Sequence, residues 1–427
     1  MTVYLSIGLL ILLMLLGVPI AFSLGITAIA SMAMLVPPDT ILSLMTNLVR
    51  HATANYVLLT IPMFVLMAEF LAAGGVAEDL LLACNRLLRK IRGGMAMACI
   101  LAGTVHAAAT GSSAASAASL ARASYPAMMK AGYASSFAVG TVAIAGTLAI
   151  MIPPSVPFVL FGLVTGTSIG KLFIAGIIPG VLTALGYILT ISITLWLRPQ
   201  LGPNPKLETA LAAQAETKGK IWPMVTLVVV IIFGLYSGLA TPTEVSAVGA
   251  LGALLISWST GRMNRSSFVH AVGGTMRITT MIIVILFSAH LLGYFVTFSK
   301  VTDELLQWIT ASGLSPHLVM VSVVLIYLLL GAFLDQGAII ILTAPITTPL
   351  MVGLGFDPVW WGVIIIKTAE IGLVHPPLGI VTFVVSSATK TDLKSNYIGV
   401  IPFIITELVL LAALVAWPQL SLWLVKM

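Results

Sequence analysis

Two groups of helix-breaking and oxygen-bearing residues recur at a fixed offset in this chain, each with the makings of an ion site in an apolar setting. The first runs Gly146, Thr147, then Ile152-Pro153-Pro154-Ser155; the second runs Glu370, Gly372, then His375-Pro376-Pro377 and Gly379, an offset of 223 residues (153 to 376). Proline lacks an N–H and disfavours helical geometry in its predecessor, so an adjacent pair unwinds a helix and frees carbonyl oxygens. The carbonyls near Ile152, with the Ser155 hydroxyl, can ligate a cation. A simple kink is the bland reading of one such pair, but a kink has no need to be repeated.

Upstream of each break lies a short polar tip, Gly111-Ser112-Ser113 in one case and Asp335-Gln336-Gly337 in the other. Glycine allows a tight turn, hydroxyls offer hard oxygen ligands, and the helix that follows presents free N–H groups and a positive dipole end to a carboxylate. The small residues around the first tip would also permit close helix packing. At the 223 shift Ser112 and Ser113 fall on Asp335 and Gln336, so the tips share geometry but not chemistry. Asp335 either ligates a cation or caps the following helix. Sodium suits these oxygen donors and is expected at Ser112, Ser113 and Ile152, and at Asp335 and His375.

Lys367 and Glu370 stand at i,i+3 and can face one another as a structural ion pair or meet substrate. Arg122 either meets an anionic substrate or anchors at a membrane boundary. Glu69, Glu244 and Glu407 read as isolated membrane acids at helix or subunit contacts. His106, His290 and His375 lack metal-site spacing, and Cys84 and Cys99 read as small buried hydrophobes. No nucleotide-binding fingerprint or nucleophile–base arrangement is present, so an enzyme and an ATP-driven motor are not expected.

The elements that must position these residues are membrane helices. The chain has 427 residues, 59% of them hydrophobic and 8% charged, a composition that excludes a soluble domain. Segments near 3–22, 56–73, 173–197, 223–240, 277–297 and 396–424 can cross ~30 Å of hydrocarbon. The first reads as a retained helix rather than a signal peptide. The net charge of +6 lies in loops and does not imply nucleic acid.

Prolines and glycines also match at the shift from Pro126 with Pro349 to Pro179 with Pro402, which predicts an inverted repeat. The halves are 1–198 and 223–427, joined by a cytoplasmic linker at 199–222. Each holds two short arms about a polar tip, a re-entrant hairpin (94–129; 318–350), then a broken helix (133–165; 357–388). Such a tip is tolerated only inside protein or a watery cavity. The basic cluster Arg86, Arg89, Lys90 and Arg92 sets its loop inside and places both termini outside, in the periplasm.

The stretches GSSAASAASLARASYPAMMKAGY, GTLAIMIPPS, KLFIAGIIPG, GAFLDQGAIIILTAPITTP, GFDPVWWGV and EIGLVHPPLG resemble the large membrane subunit of tripartite ATP-independent periplasmic (TRAP) transporters, the DctM family. The resemblance covers nearly the whole chain. It implies a bacterial inner-membrane, sodium-coupled uptake system for an organic acid anion. It also implies a small four-helix DctQ-type membrane subunit, a periplasmic DctP-type binding protein, and an elevator motion of hairpins and broken helices against a scaffold. His375, where the family usually has Thr, and Thr368, where it often has Asn, depart from the pattern. The alternative is a stand-alone carrier of the same architecture; a channel or membrane enzyme is the reading from another class.

Overall fold

The computed structural model describes residues 2–426 apart from Arg89, Gly111, Pro205, Lys206 and 209–221. Among the described residues the regular structure is all helical. The first half contains α1 (Thr2–Leu15), α2 (Ile20–Met32), α3 (Pro38–Ala54), α4 (Thr60–Ala73), α5 (Val76–Leu88), α6 (Gly94–Thr110), α7 (Ser113–Lys130), α8 (Ser135–Met151), α9 (Val156–Thr165) and α10 (Ile169–Leu197). The second contains α11 (Trp222–Tyr236), α12 (Pro242–Ser259), α13 (Arg265–Ser299), α14 (Val301–Ala311), α15 (Pro316–Gly331), α16 (Gln336–Gly353), α17 (Pro358–Gly372), α18 (Ile380–Thr389), α19 (Leu393–Ala416) and α20 (Gln419–Leu422).

The repeat is carried by the backbone itself. Moved by 223, α7 coincides with α16 at both ends (113 to 336, 130 to 353), and α8 begins where α17 begins (135 to 358). Gly132 and Gly355 both adopt positive φ just after these hairpin arms, and the Pro153–Pro154 and Pro376–Pro377 bonds are both cis. The sequence marks helix starts with short polar caps: Asn264 accepts from Ser267 N at 2.8 Å, Asp357 from Val359 N at 2.8 Å, and Asp392 from Ser395 N at 2.9 Å. Each satisfies an N–H that the helix cannot pair internally.

Among the described residues, six helical spans are long and apolar enough to cross a membrane. The first-segment expectation needs correction. Residues 3–22 are not one helix, because α1 stops at Leu15, Gly17 takes φ 77°, and α2 starts after Pro19. Proline without an N–H cannot continue the ladder, although the flanking composition is uniformly apolar.

The halves interlock. Helix α2 packs on α13 while α12 packs on α4, and these pairs exchange partners between halves. Thr60 and Thr243 share a 2.8 Å hydrogen bond across the α4–α12 contact. Arg262 ties the end of this layer to α5, meeting Asp79 at 3.1 Å and the Gly74 carbonyl at 3.0 Å. The pre-break helices lie at the centre, with every residue from Phe137 to Met151 and from Val359 to Gly372 buried. The outward faces are apolar instead, with Leu185, Leu189 and Ile193 on α10 and Ile401, Ile405 and Val409 on α19 exposed. That inversion of the soluble pattern is what a lipid-facing surface requires.

On the first hairpin's base, the segment after α10 forms a strap. Asn204 N donates to the Ala131 carbonyl at 2.9 Å and Ala134 N to Leu201 at 3.1 Å. Buried Glu208 accepts from Tyr133 Oη at 2.7 Å and from Met95 N at 3.1 Å. Burial, then the neighbouring Glu208 carboxylate, push the Tyr133 hydroxyl well above its ordinary value.

Candidate functional site

The first break begins where α8 ends at Met151. Ile152 is extended (φ −84°, ψ 120°), the cis Pro153–Pro154 pair follows, and Ser155 (φ −127°, ψ 126°) leads into α9. The Ser155 hydroxyl donates to the Ile150 carbonyl, one of the oxygens released by the prolines. Pro153, Pro154 and Ser155 are buried. Gly146, one and a half turns earlier, lets α7 come close: a Cβ there would lie 2.4 Å from the Ala117 Cβ.

The second break has the same backbone plan and a different exposure. Beyond Gly372, the run from His375 through Leu378 is exposed, and Gly379 takes φ 51° before α18. Tyr397 of α19 donates to the Pro377 and Leu378 carbonyls at 2.7 and 2.9 Å, so two freed oxygens already have a donor. His375 Nδ1 turns to the Pro376 carbonyl. The two breaks are repeat-related, yet one is sealed and one faces outward from the protein.

Gly111 lies outside the described residues. Ser112 accepts from Ala115 N at 3.5 Å as the N-cap of α7, and Ser113 is buried in its first turn. Asp335 is the N-cap of α16, its Oδ1 accepting from Gly337 N at 2.8 Å and Ala338 N at 3.1 Å. Capping is thus the role its geometry displays. Next to each cap a buried oxygen has no hydrogen-bond partner: Ser116 Oγ near the first tip and Gln336 Oε1 at the second. Two buried oxygens without a hydrogen-bond partner thus lie close to the tips.

Each second arm packs on helices of both halves. Helix α7 packs on α8 of its own half and on α18 of the other; α16 packs on α17 and on α9. A Cβ on Gly337 would lie 3.6 Å from Leu160 Cδ1 of α9. The expectation that each tip serves its own break therefore acquires a second half of the picture. Each second arm also packs on the post-break helix of the opposite repeat, and the second tip meets it at Gly337.

Glu370 and Thr147 belong to a different cluster, deep between the halves. Lys367 Nζ lies 3.0 Å from Glu370 Oε2, 2.6 Å from Glu407 Oε2 and 2.8 Å from Thr183 Oγ1. Tyr187 donates to Glu407 Oε1, with its ring edge-on to Phe403 at 5.8 Å. Glu407 is consequently not an isolated acid, and the Lys367–Glu370 pair is half of a larger set. Three oxygens thus surround the ammonium, two of them hydrogen-bonded to it, and an organic anion would compete with them for Lys367.

One other expectation moves as well. Glu244 forms a capping box with Thr241 at the start of α12, accepting from Thr241 N at 2.7 Å. Glu69 faces a groove of about 360 Å³ with His270, and a neighbouring groove of about 770 Å³ is lined by Arg265, His270 and Arg277. None of the tip or break residues lines either groove. Arg122 is exposed on α7 and His106 is buried on α6. The Glu407–Tyr187 link escaped sequence reasoning because its members lie 220 residues apart. The one available signal was that Thr183 and Thr406 match at the 223 shift.

Residues 7–420 match the family model of the tripartite ATP-independent periplasmic transporter, DctM component. The chain belongs to the DctM family. The large permease DctM of a C4-dicarboxylate TRAP transporter from Pseudomonas aeruginosa is 36% identical over 94% of this chain and 93% of its own. The isethionate TRAP permease DctMQ of Oleidesulfovibrio alaskensis is 32% identical over 92% of this chain and 62% of its own length. In fold the chain is similar to the YdaH transporter of Alcanivorax borkumensis, at TM-score 0.65 and 16% identity, covering 91% of this chain and 90% of that one. A DctM component is a multi-pass transporter subunit, not an enzyme, and the paired hairpins and breaks are the features of this chain that fit such work.

Proposed function

We propose that this DctM-family chain moves a small organic acid anion inward together with sodium, at the two junctions of hairpin tip and broken helix. The observation that carries the reading is the pairing of each capped tip with an unpartnered buried oxygen, Ser116 Oγ in one half and Gln336 Oε1 in the other. Sodium takes Ser112, Ser113 and the Ile152 carbonyl at the first junction, and Asp335 with the His375 region at the second. The anion is favoured by the positive N-terminal ends of α7 and α16, which face these junctions. The similar proteins from Pseudomonas and Oleidesulfovibrio are named for C4-dicarboxylate and isethionate, both small anions.

In this reading the hairpins and broken helices slide as a unit against the α2, α4, α12 and α13 layer. The anion arrives on a periplasmic binding protein, and a small membrane subunit braces the scaffold. Both termini lie in the periplasm of an inner-membrane protein. Reconstitution in liposomes tests this assembly. Uptake should need the small subunit and the loaded binding protein, whereas uptake by this chain alone would leave a stand-alone carrier in its place.

A further inference from the structure

Lys367, Glu370 and Glu407 are sealed from solvent, each at 0 or 1% exposure. One cation thus faces two carboxylates, and with all three ionised the cluster would hold a net charge of −1. A buried charge without compensation is costly, so a site of this kind takes up a positive partner or gives up its charge.

The contacts distinguish the two carboxylates. Glu407 has a partner at both oxygens: Tyr187 donates to Oε1, and Lys367 Nζ forms an ion pair with Oε2 at 2.6 Å that lacks hydrogen-bond geometry. Glu370 has Lys367 on Oε2 at 3.0 Å, while its Oε1 accepts no hydrogen bond. Thr147 faces Glu370 from α8. The Thr147 hydroxyl donates to the Ile144 carbonyl at 2.8 Å and lies 3.5 Å from Tyr187 Oη, so towards Glu370 it can act as an acceptor. Glu370 Oε1 thus lacks a donor and is offered an acceptor. The groups that face this carboxyl are Thr147 of α8, Tyr187 of α10, Lys367 of its own helix and Glu407 of α19.

We propose that this cluster is a proton-binding site, with one proton held on Glu370 and offered to Thr147, beside an ionised Lys367–Glu407 pair. Its position gives the proton a task. Glu370 and Thr147 are equivalent under the 223 shift (147 to 370), so they meet where the repeats meet, each five residues before its break (152 and 375). A neutral carboxyl lets the two pre-break helices close on one another; its loss would put an unpaired charge between them. The inference does not depend on the sodium reading.

Infrared difference spectroscopy on the purified full chain, in light and heavy water, tests it. At neutral pH the parent should show the carbonyl stretch of a protonated carboxyl, lost in Glu370→Gln and kept in Glu407→Gln. Glutamine mimics a protonated carboxyl, so Glu370→Gln should also melt close to the parent. Absence of the band in the parent overturns the proposal, as does a band that Glu407→Gln removes and Glu370→Gln leaves. Loss of the parent's band when sodium replaces choline would assign the balancing charge to a metal cation and also overturn it. Should Glu407→Gln fail to fold, the comparison of parent with Glu370→Gln still decides.

Discussion

Ser112 and Asp335 stand at equivalent positions of the two repeats, and each closes the first turn of a hairpin's second arm with a side-chain oxygen. Serine reaches a single N–H at 3.5 Å, whereas aspartate holds two at 2.8 and 3.1 Å. The second hairpin is thus anchored by the stronger cap, and its capping group is also the only acid at either tip.

Replacing Asp335 with Ala should cost about 1 kcal/mol of stability, the usual value of an N-cap. Asn can still cap, so Asp335→Asn should melt near the parent while its uptake requires more sodium. Thermal unfolding and a sodium titration of uptake separate the roles. Parent-like sodium dependence in Asp335→Asn would reduce this residue to a cap alone.

Gly372 and Gly331 bring α17 and the first arm of the second hairpin into backbone contact. A Cβ on Gly372 would lie 2.4 Å from the Gly331 Cα, and one on Gly331 would lie 2.9 Å from the Gly372 Cα. Neither helix backbone can yield as a side chain would. Gly372→Ala should therefore cost ~1–3 kcal/mol, as overpacking of a filled core does, and should depress uptake by displacing the hairpin. A variant with parent melting temperature and uptake would show that the arm is free to shift.

Lys367→Met should be among the most damaging single changes in the chain. It strands Glu407 in a sealed site, and breaking a buried ion pair costs ~3–5 kcal/mol. Adding Glu407→Gln to Lys367→Met removes the stranded charge and should recover much of that loss. Melting temperatures of the single and double variants give the coupling directly. No recovery in the double variant would mean that packing, not charge, sets the cost.

Asp392 supplies a pH dependence whose sign is fixed. The Ser395 side chain, then its backbone N–H, hold the Asp392 carboxyl below the usual carboxylate range. A carboxyl lowered by folding adds its stability above its unfolded value and loses it as pH falls through its folded value. The melting advantage of the parent over Asp392→Ala should be full at neutral pH and shrink on acidification. An advantage that stays constant or grows in acid would contradict this cap.

Much of the fold was legible because its landmarks are backbone residues. Pro153–Pro154, Pro376–Pro377, Gly132 and Gly355 force geometry whatever surrounds them, so the repeat and both breaks can be found without knowing any contact. Pro19 carried the same kind of signal within residues 3–22, but uniform hydrophobicity concealed the stop at Leu15. Lys367 and Glu370 were legible from i,i+3 spacing on one helix. Their partners Glu407, Tyr187 and Thr183 were not, because only the packing of α10 and α19 against α17 brings them together. Spacing also could not show that Asp335 caps its helix, a role displayed by two N–H vectors of the helix it begins.

Uptake of the organic anion by the reconstituted assembly, with choline replacing sodium at fixed membrane potential and pH, is the most direct test of the two-junction account. Uptake should cease in choline and return with sodium. Uptake that continues unchanged in choline would contradict sodium binding at the hairpin tips and breaks.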